Sequence, residues 1–365
     1  MTINQVAKIM DELIPFGQAE GYDNVGLLCG RPENTVTGIL VCHDVLEAVV
    51  DEAIKKKVNL IVCFHPIIFK GLKKITGADY VQRSVLKAIE NKIAIYAIHT
   101  AFDNDFFGVN HRICEKLGLE NKKVLMPKKG DLHILQVYVP TDHEAKLQSA
   151  LFDAGAGNIG FYDECSFSLA GKGTFRPKPG ADPYDGEIGK RETADEKLLS
   201  VIFEKRKQAA VVAAMQSAHP YEEVAYQTIA VENENQYEGL GMYGEFDDEM
   251  SEQDFLILLR EKFGLEVVRH SNFINRKIKR VAVLGGSGAD GISAAKSKNC
   301  DAYITGDLKY HDFFRAESQI LLCDVGHFES EQFVTEHLVE ILSQKFTTFA
   351  VSKSVEKTNP VNYFL

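Results

Sequence analysis

Short apolar runs that stop at a histidine or an aspartate constrain the fold of this chain more than any other feature. GILVC, residues 38–42, stops at His43 and Asp44, and the run that begins at Leu60 stops at His65. Each run has the length and the β-branched content of a buried strand. In α/β sheets the ligand site lies outside the carboxyl ends of the strands, so these polar residues are candidates for one shared site.

The stretches between these strands carry apolar residues at helical spacing, as in 45–56 and 81–91. Strands that alternate with helices predict a parallel sheet covered on both faces. The same alternation returns near residue 280 and ends in a helix predicted over 329–344. A different order, strand-helix-strand-strand-helix-strand, occupies the middle of the chain and is that of the ferredoxin-like motif.

We therefore predict an α/β fold in which both chain ends build one parallel-type sheet domain, residues 1–126 plus 240–365. A ferredoxin-like α+β domain is inserted between them at 127–239. The segment GLGMYGEF, residues 239–246, is predicted to be the linker that returns to the first domain.

Composition restricts the class of partner. The 365 residues carry a formal net charge of −11, which argues against general affinity for nucleic acid or for an anionic membrane. No apolar stretch approaches the roughly 20 residues that cross a bilayer, and no basic leader precedes an apolar run. The 7 cysteines include no CxxC pair, which is typical of a reducing compartment. We expect a cytoplasmic protein.

The segment DVGHFESE, residues 324–331, is the strongest local signal for chemistry. His327 and Glu331 are four residues apart at a predicted helix start, so both side chains can face one point. An imidazole nitrogen and a carboxylate oxygen are usual ligands of zinc, manganese and iron. The alternative for this motif is capping and dipole stabilisation at a helix N-terminus.

Two further motifs add candidate ligands. His65 leaves a strand before Pro66, and Asp103 lies four residues after His99 in IHTAFDN. Alone, the first could be a hydrogen-bonded turn residue and the second a helix cap. Together with His327 and Glu331 they form a mixed nitrogen and oxygen set at strand ends, which suits an open catalytic metal site. A divalent metal there would lower the pKa of bound water to roughly 7.

Other polar residues are candidates for proton transfer and phosphate binding. We expect His99 and His311 to act in catalysis as proton-transfer groups, with Lys309 as a phosphate contact. Solvated surface charge is the alternative for GDLKYHD, residues 306–312. The Gly-rich run LGGSGADG, residues 284–291, could hold a phosphate on its amides or could simply be a tight strand-to-helix turn.

Taken in order, GYDNVGLLCG, HPIIFKGLK, HTAFDN, GDLKYHD and DVGHFESE make the chain resemble the GTP cyclohydrolase I type 2 family, also called the NGG-one-interacting-factor-three-like family. The match runs almost end to end. The middle segment, through GAGNIGFYDECSFSLAGKGTF and HPYEEVAY, resembles the PII-like inserted domain of that family.

The resemblance implies a toroidal homohexamer with one or two divalent ions per subunit, zinc or else manganese or iron. By position, His65, Asp103, His327 and Glu331 are the implied ligands, and Glu331 bridges the ions. The implied reaction opens the guanine ring of GTP, releases formate and gives 7,8-dihydroneopterin triphosphate.

One position departs from the family pattern. The family usually has two histidines before the proline of its HHP motif, and this chain has Phe64 and His65 before Pro66. The missing imidazole affects one of the two implied ions. His43 lies at a neighbouring strand end, and we hypothesise that it compensates.

Two functions of different class follow. The first is a metal-dependent hydrolase that acts on a nucleotide or another small molecule, with GTP as the specific prediction. The second is a non-enzymatic, metal-containing oligomeric scaffold or regulatory protein that binds a small molecule or a protein partner. Nucleic acid is disfavoured by the net charge of −11, and no membrane association is expected.

Overall fold

The computed structural model describes residues 1–364. The chain forms two compact units. Unit 1 consists of Met1–Met126 and the chain from Tyr237 onward, and unit 2 is Pro127–Gln236. Both contain helices and sheets, so the fold is mixed α/β.

The elements are numbered along the chain. The helices are α1 (Ile3–Leu13), α2 (Glu47–Lys56), α3 (Tyr80–Glu90), α4 (His99–Asn104), α5 (Val109–Leu117), α6 (Glu144–Asp153), α7 (Gln208–Ala218), α8 (Glu252–Phe263), α9 (Ile292–Ser297), α10 (His327–Glu331) and α11 (Val334–Lys345). The strands are β1 (Gly26–Cys29), β2 (Gly38–Cys42), β3 (Leu60–Cys63), β4 (Ala94–Ala97), β5 (Glu120–Lys128), β6 (Leu132–Pro140), β7 (Ser166–Phe175), β8 (Glu192–Glu204), β9 (Tyr226–Ala230), β10 (Asn235–Met250), β11 (Arg269–His270), β12 (Ile278–Ser287), β13 (Ala302–Gly306), β14 (Leu321–Asp324) and β15 (Ala350–Lys353).

Unit 1 contains two sheets, where the sequence analysis predicted one. The first has the order β1-β4-β3-β2-β15 and the second the order β11-β14-β13-β12-β10-β5. Both are mixed: β15, β2, β3 and β4 are parallel, as are β12, β13 and β14, whereas β1, β10 and β11 pair antiparallel with their neighbours. The prediction of a single sheet was wrong because strand periodicity carries no information on which strands pair.

A shared core explains why these strands are apolar on both faces. In β2, Ile39 and Val41 belong to a cluster that also contains Val281 and Val283 of β12, whereas Leu40 packs with the helices on the other face. Side chains alternate across a strand, so a strand buried on both faces needs an unbroken apolar run. GILVC is such a run, and each of its residues is buried.

Two expectations about element boundaries were wrong. The predicted linker 239–246 lies inside β10, whose glycines allow close approach: a Cβ at Gly244 would lie 2.6 Å from the Glu120 carbonyl oxygen. The predicted helix 329–344 is divided into α10 and α11. The short α10 thereby presents His327 and Glu331 independently of the longer helix that follows.

Unit 2 is one antiparallel sheet with two helices. Its strand order is β7-β8-β6-β9, and α6 and α7 contribute to a core with β6 and β8. Alternate residues of β8, namely Leu199, Val201 and Phe203, are buried, as expected for a sheet with one covered face.

Within residues 1–364, none of the helices combines the length and the apolar character that crossing a bilayer requires.

The core of unit 2 gives the first prediction. Leu199→Ala should lower the unfolding free energy of unit 2 by about 2–5 kcal/mol, because it leaves a cavity in the core where the fully buried Leu199 side chain packs. Hydrogen exchange of peptides from β6 and β8, followed by mass spectrometry on the full chain, measures the change. Leu169→Ala, on the neighbouring strand but 59% exposed, is the matched control and should have little effect. Equal effects of the two substitutions would contradict this account of the core.

Candidate metal centre

Strand ends of both sheets in unit 1 meet at one group of side chains. His43 directly follows β2, and His65 lies two residues after β3, where its backbone N–H donates to the His43 carbonyl oxygen at 3.0 Å. From the other sheet, the turn after β14 leads into α10, which begins with His327 and ends with Glu331. The site is therefore formed by strand ends of two sheets. The prediction that it lies at the edge of a single sheet was wrong.

One oxygen is the centre of the group. Glu331 Oε2 lies 3.1 Å from His43 Nε2, 3.4 Å from His65 Nε2 and 3.3 Å from His327 Nε2. The Nε2 atoms of His65 and His327 are 3.4 Å apart. Glu331 is almost completely buried, so three imidazoles converge on a carboxylate that water hardly reaches.

The spacing fits a tetrahedral metal ligand set. Zinc binds imidazole nitrogen and carboxylate oxygen at roughly 2.0–2.2 Å, which places two ligand atoms of a tetrahedron about 3.3–3.6 Å apart. His65 Nε2, His327 Nε2 and Glu331 Oε2 have mutual separations of 3.3–3.4 Å. Their separations thus match one face of a zinc tetrahedron.

Carboxylates hold the other nitrogen of each ring. Asp44 accepts from Nδ1 of both His43, at 2.9 Å, and His65, at 2.8 Å, and Asp307 accepts from Nδ1 of His327 at 2.7 Å. An ionised carboxylate only accepts, so Nδ1 carries the proton and a neutral ring turns a bare lone pair at Nε2 towards Glu331. Lone pairs facing a carboxylate oxygen require a proton or a cation between them. Metal-binding histidines commonly have such carboxylate partners.

The electrostatics show how strongly the group attracts positive charge. Burial disfavours the charged imidazole of His65, but Asp44 and Glu331 outweigh burial and raise its pKa to about 10. The hydrogen bond with Glu331 raises the pKa of His327 to about 9 against the opposing effect of burial. Burial also opposes ionisation of Glu331, yet hydrogen bonds from His327, His43 and His65 hold the pKa of its carboxyl well below the usual range.

Asp103 lies in the last turn of α4 and is almost fully buried. Its Oδ1 has no hydrogen-bond partner within residues 1–364, and burial together with the charge of Glu331 raises the pKa of its carboxyl well above the ordinary value. Within residues 1–364, the compact groups of possible ligand atoms are His65 with His327 and Glu331, and His43 with Asp44 and His65; Asp103 belongs to neither. A cation bound next to Glu331 would reduce the charge repulsion between Glu331 and Asp103. The residues present therefore fit a divalent metal ion.

Of the other predicted site residues, some lie at the site and some lie on the surface outside its cavity. His99 lies beside the group, with its ring centroid 5.2 Å from that of His65, and its Nδ1 donates to buried Asp23 at 2.9 Å. His311 and Lys309 are exposed in a 3-10 turn after β13, and neither lines the cavity next to the candidate ligands. The structure thus brings His99 to the site but not His311 or Lys309.

The Gly-rich run serves the packing of Glu331. The amide of Gly285 donates to Asn110 Oδ1 and that of Gly286 to Ser330 Oγ, so neither amide is available to a phosphate. Gly286 has a φ of 69°, and a Cβ there would lie 2.3 Å from Glu331 Oε1. A glycine is required at this turn because the carboxylate occupies the space of a side chain.

The sequence analysis missed the orienting role of the carboxylates. Asp44 was considered only as a polar residue at a strand end, and Asp307, within GDLKYHD, and Asp23, within GYDNVG, had no assigned role. Hydrogen bonds from His99 and Thr100 outweigh the burial of Asp23 and lower the pKa of its carboxyl to about 2. The position of Asp44 could have indicated its role, because an aspartate next to a histidine at a strand end can orient a ring on the neighbouring strand.

A cavity of about 520 Å³ opens beside the group. His43, His65 and His327 line it on one side, and Arg269 and the C-terminal segment around Tyr363 line it elsewhere. This volume lies in the range of small-molecule sites.

The shared role of Asp44 gives a second prediction. Asp44→Asn should weaken zinc binding by about 10–100-fold, because asparagine keeps only one acceptor oxygen and its NH2 group would face the Nδ1–H of one of the two rings. Competition with a chromophoric chelator measures the affinity. Asp51→Asn, on the exposed face of α2, makes the same chemical change and should bind zinc like the unaltered chain. Unchanged affinity in Asp44→Asn would rule out the orienting role.

Comparison with known proteins agrees with the fold and with the family resemblance. A Bacillus subtilis protein called "GTP cyclohydrolase 1 type 2 homolog" is 38% identical over 364 residues, which cover 98% of each chain. A Staphylococcus aureus protein of the same name is 33% identical over 368 residues and 100% of each chain. The crystal structure of a Bacillus cereus protein related to NIF3 is similar with a TM-score of 0.86 and 35% identity, covering 100% of this chain and 99% of that one.

A family model for Duf34/NIF3 (NGG1p interacting factor 3) matches residues 1–360. With a match of that extent and relatives of this similarity, the chain belongs to the Duf34/NIF3 family.

Proposed function

We propose that this protein is a metal-dependent hydrolase that opens the guanine ring of GTP. The observation that carries the proposal is the convergence of three imidazole Nε2 atoms on Glu331 Oε2 at 3.1–3.4 Å. The names of the Bacillus subtilis and Staphylococcus aureus relatives support GTP as the substrate to test first.

The ligands in this proposal are His65, Asp103, His327 and Glu331, with one or two divalent ions per subunit. Nitrogen and oxygen donors in this mixture suit zinc, with manganese or iron as alternatives. A divalent ion supplies Lewis acidity, which lowers the pKa of bound water to roughly 7.

The protein side chains orient the metal-binding rings and transfer protons. Asp44 and Asp307 fix the rings of His43, His65 and His327 through their Nδ1 atoms. We assign proton transfer to His99, which Asp23 holds next to His65. Overall, GTP and one water give formate and 7,8-dihydroneopterin triphosphate: two waters are consumed as both bonds from C8 to nitrogen break, the opened ribose rearranges, and closure of the new ring returns one water. No external oxidant or reductant is needed.

The cavities suggest how a nucleotide would lie. The cavity beside the ligands shares His43 and Phe328 with a larger one of about 1030 Å³, whose lining includes Lys116, Lys353 and Lys357. We place the guanine next to the histidines and the triphosphate towards these lysines. Lys309 and the Gly-rich run, which the sequence offered as candidate phosphate contacts, have no part in this assignment.

A second candidate function rests on unit 2. Its cavity of about 430 Å³ is lined by aromatic rings, among them Phe175, Tyr184 and Tyr221. If unit 2 is a ferredoxin-like, PII-like domain as we propose, this cavity would suit a small-molecule signal, and the protein would be a metal-containing regulatory scaffold. The strand order β7-β8-β6-β9 supports that assignment.

We further propose that the protein assembles as a homohexamer. The measurement is light scattering coupled to size-exclusion chromatography, and the expected mass is about six times the 40.7 kDa of one chain. A monomeric mass at micromolar concentration would contradict the hexamer without affecting the metal centre.

A turnover assay distinguishes the proposed enzyme from the proposed non-enzymatic scaffold. Zinc-loaded protein incubated with GTP should release formate and a fluorescent pterin after oxidation, and Glu331→Ala should abolish both products because the central carboxylate is lost. Glu340→Ala, a half-exposed residue of α11, is the control and should retain turnover. Absence of formate from metal-loaded unaltered protein would reject GTP as the substrate.

A further inference from the structure

We propose that His43 is a metal ligand, and that it binds a second ion which shares Glu331 with the ion held by His65 and His327. The inference rests on the metal centre of the proposed function but not on GTP as the substrate.

The placement of His43 is that of a ligand. Its side chain is 5% exposed at the end of β2, with Nε2 3.1 Å from Glu331 Oε2. Its Nδ1 donates to Asp44 Oδ2, while the other oxygen of the same carboxylate accepts from His65. One aspartate therefore orients both rings so that both Nε2 atoms meet the same glutamate oxygen.

His43 approaches Glu331 outside the compact set that fits one ion. The ligand atoms of His65, His327 and Glu331 all lie within 4.8 Å of one another, whereas His43 groups in this way with Asp44 and His65. An oxygen that has imidazole nitrogens on more than one side can bridge two cations. Asp103 Oδ1 is a further buried oxygen that has no hydrogen-bond partner within residues 1–364.

Phe64 lies beside His43 and His65 but offers no ligand atom. The Phe64 ring is fully buried, with its centroid 5.5 Å from the ring of His43 and 5.0 Å from that of His65. Phenylalanine offers no donor atom, so residue 64 cannot contribute a ligand. The backbone of Phe64 pairs with Cys42, next to His43. An imidazole at either position therefore reaches the same region, and this chain has it at position 43.

The competing role for His43 is to donate a hydrogen bond to Glu331 without binding metal. His43→Gln distinguishes the roles, because a glutamine amide can donate a hydrogen bond but is a poor zinc ligand. His43→Leu removes both properties. The double variant His43→Leu with Phe64→His returns an imidazole from the neighbouring strand.

The experiment counts metal ions per chain. Each full-length variant is stripped with chelator, reloaded with zinc, dialysed and analysed by inductively coupled plasma mass spectrometry. Cobalt(II) absorption reports the coordination, and circular dichroism with thermal unfolding reports folding. His270→Leu, an exposed histidine of the same unit, is the control.

We expect about two ions in the unaltered chain and in the control, about one in His43→Gln and His43→Leu, and about two again in the double variant. Two ions retained in folded His43→Gln, or only one ion in the unaltered chain, would overturn the proposal. If His43→Leu does not fold, His43→Gln and the double variant still decide. Two ions without formate release from GTP would reject the proposed substrate and leave the role of His43 standing.

Discussion

The buried carboxylate of Glu331 is the interaction on which the site depends. A charge removed from water is strongly unfavourable unless it is paired. Here the pairing comes from three imidazoles within 3.4 Å of one oxygen, and their own partners, Asp44 and Asp307, add negative charge around them. Such an arrangement concentrates negative charge in a poorly solvated place. Protons or a divalent cation bound there are therefore strongly stabilised.

The fold of unit 1 is arranged around that requirement. Two separate sheets bring their strand ends to one place, so that ligands from the first hundred residues meet ligands from beyond residue 320. The turn at Gly286 lacks a Cβ where Glu331 needs space. The break between α10 and α11 lets one turn of helix carry both His327 and Glu331. Each of these local features has its reason in the position of one carboxylate.

Much of the fold and of the site was predictable from the sequence, and the main errors concern strand pairing. GILVC and the run before His65 were identified as strands because burial on both faces leaves a continuous apolar pattern. The i, i+4 spacing of His327 and Glu331 predicted that they meet, and His327 Nε2 lies 3.3 Å from Glu331 Oε2. Pairing between strands leaves no such pattern. For that reason one sheet was predicted instead of two, and β10 was interpreted as a linker.

The sequence by itself determined most of the elements, the family and the candidate ligands, because periodicity, short spacings and motifs are local properties. Only the tertiary structure decided what each polar residue contacts. It shows that Asp44 accepts hydrogen bonds from two imidazole rings, and that His43 contacts Glu331, 288 positions away in the chain. It also left His311 on the exterior. Contacts of that range depend on how two sheets pack, and packing depends on the shapes of all the buried side chains together.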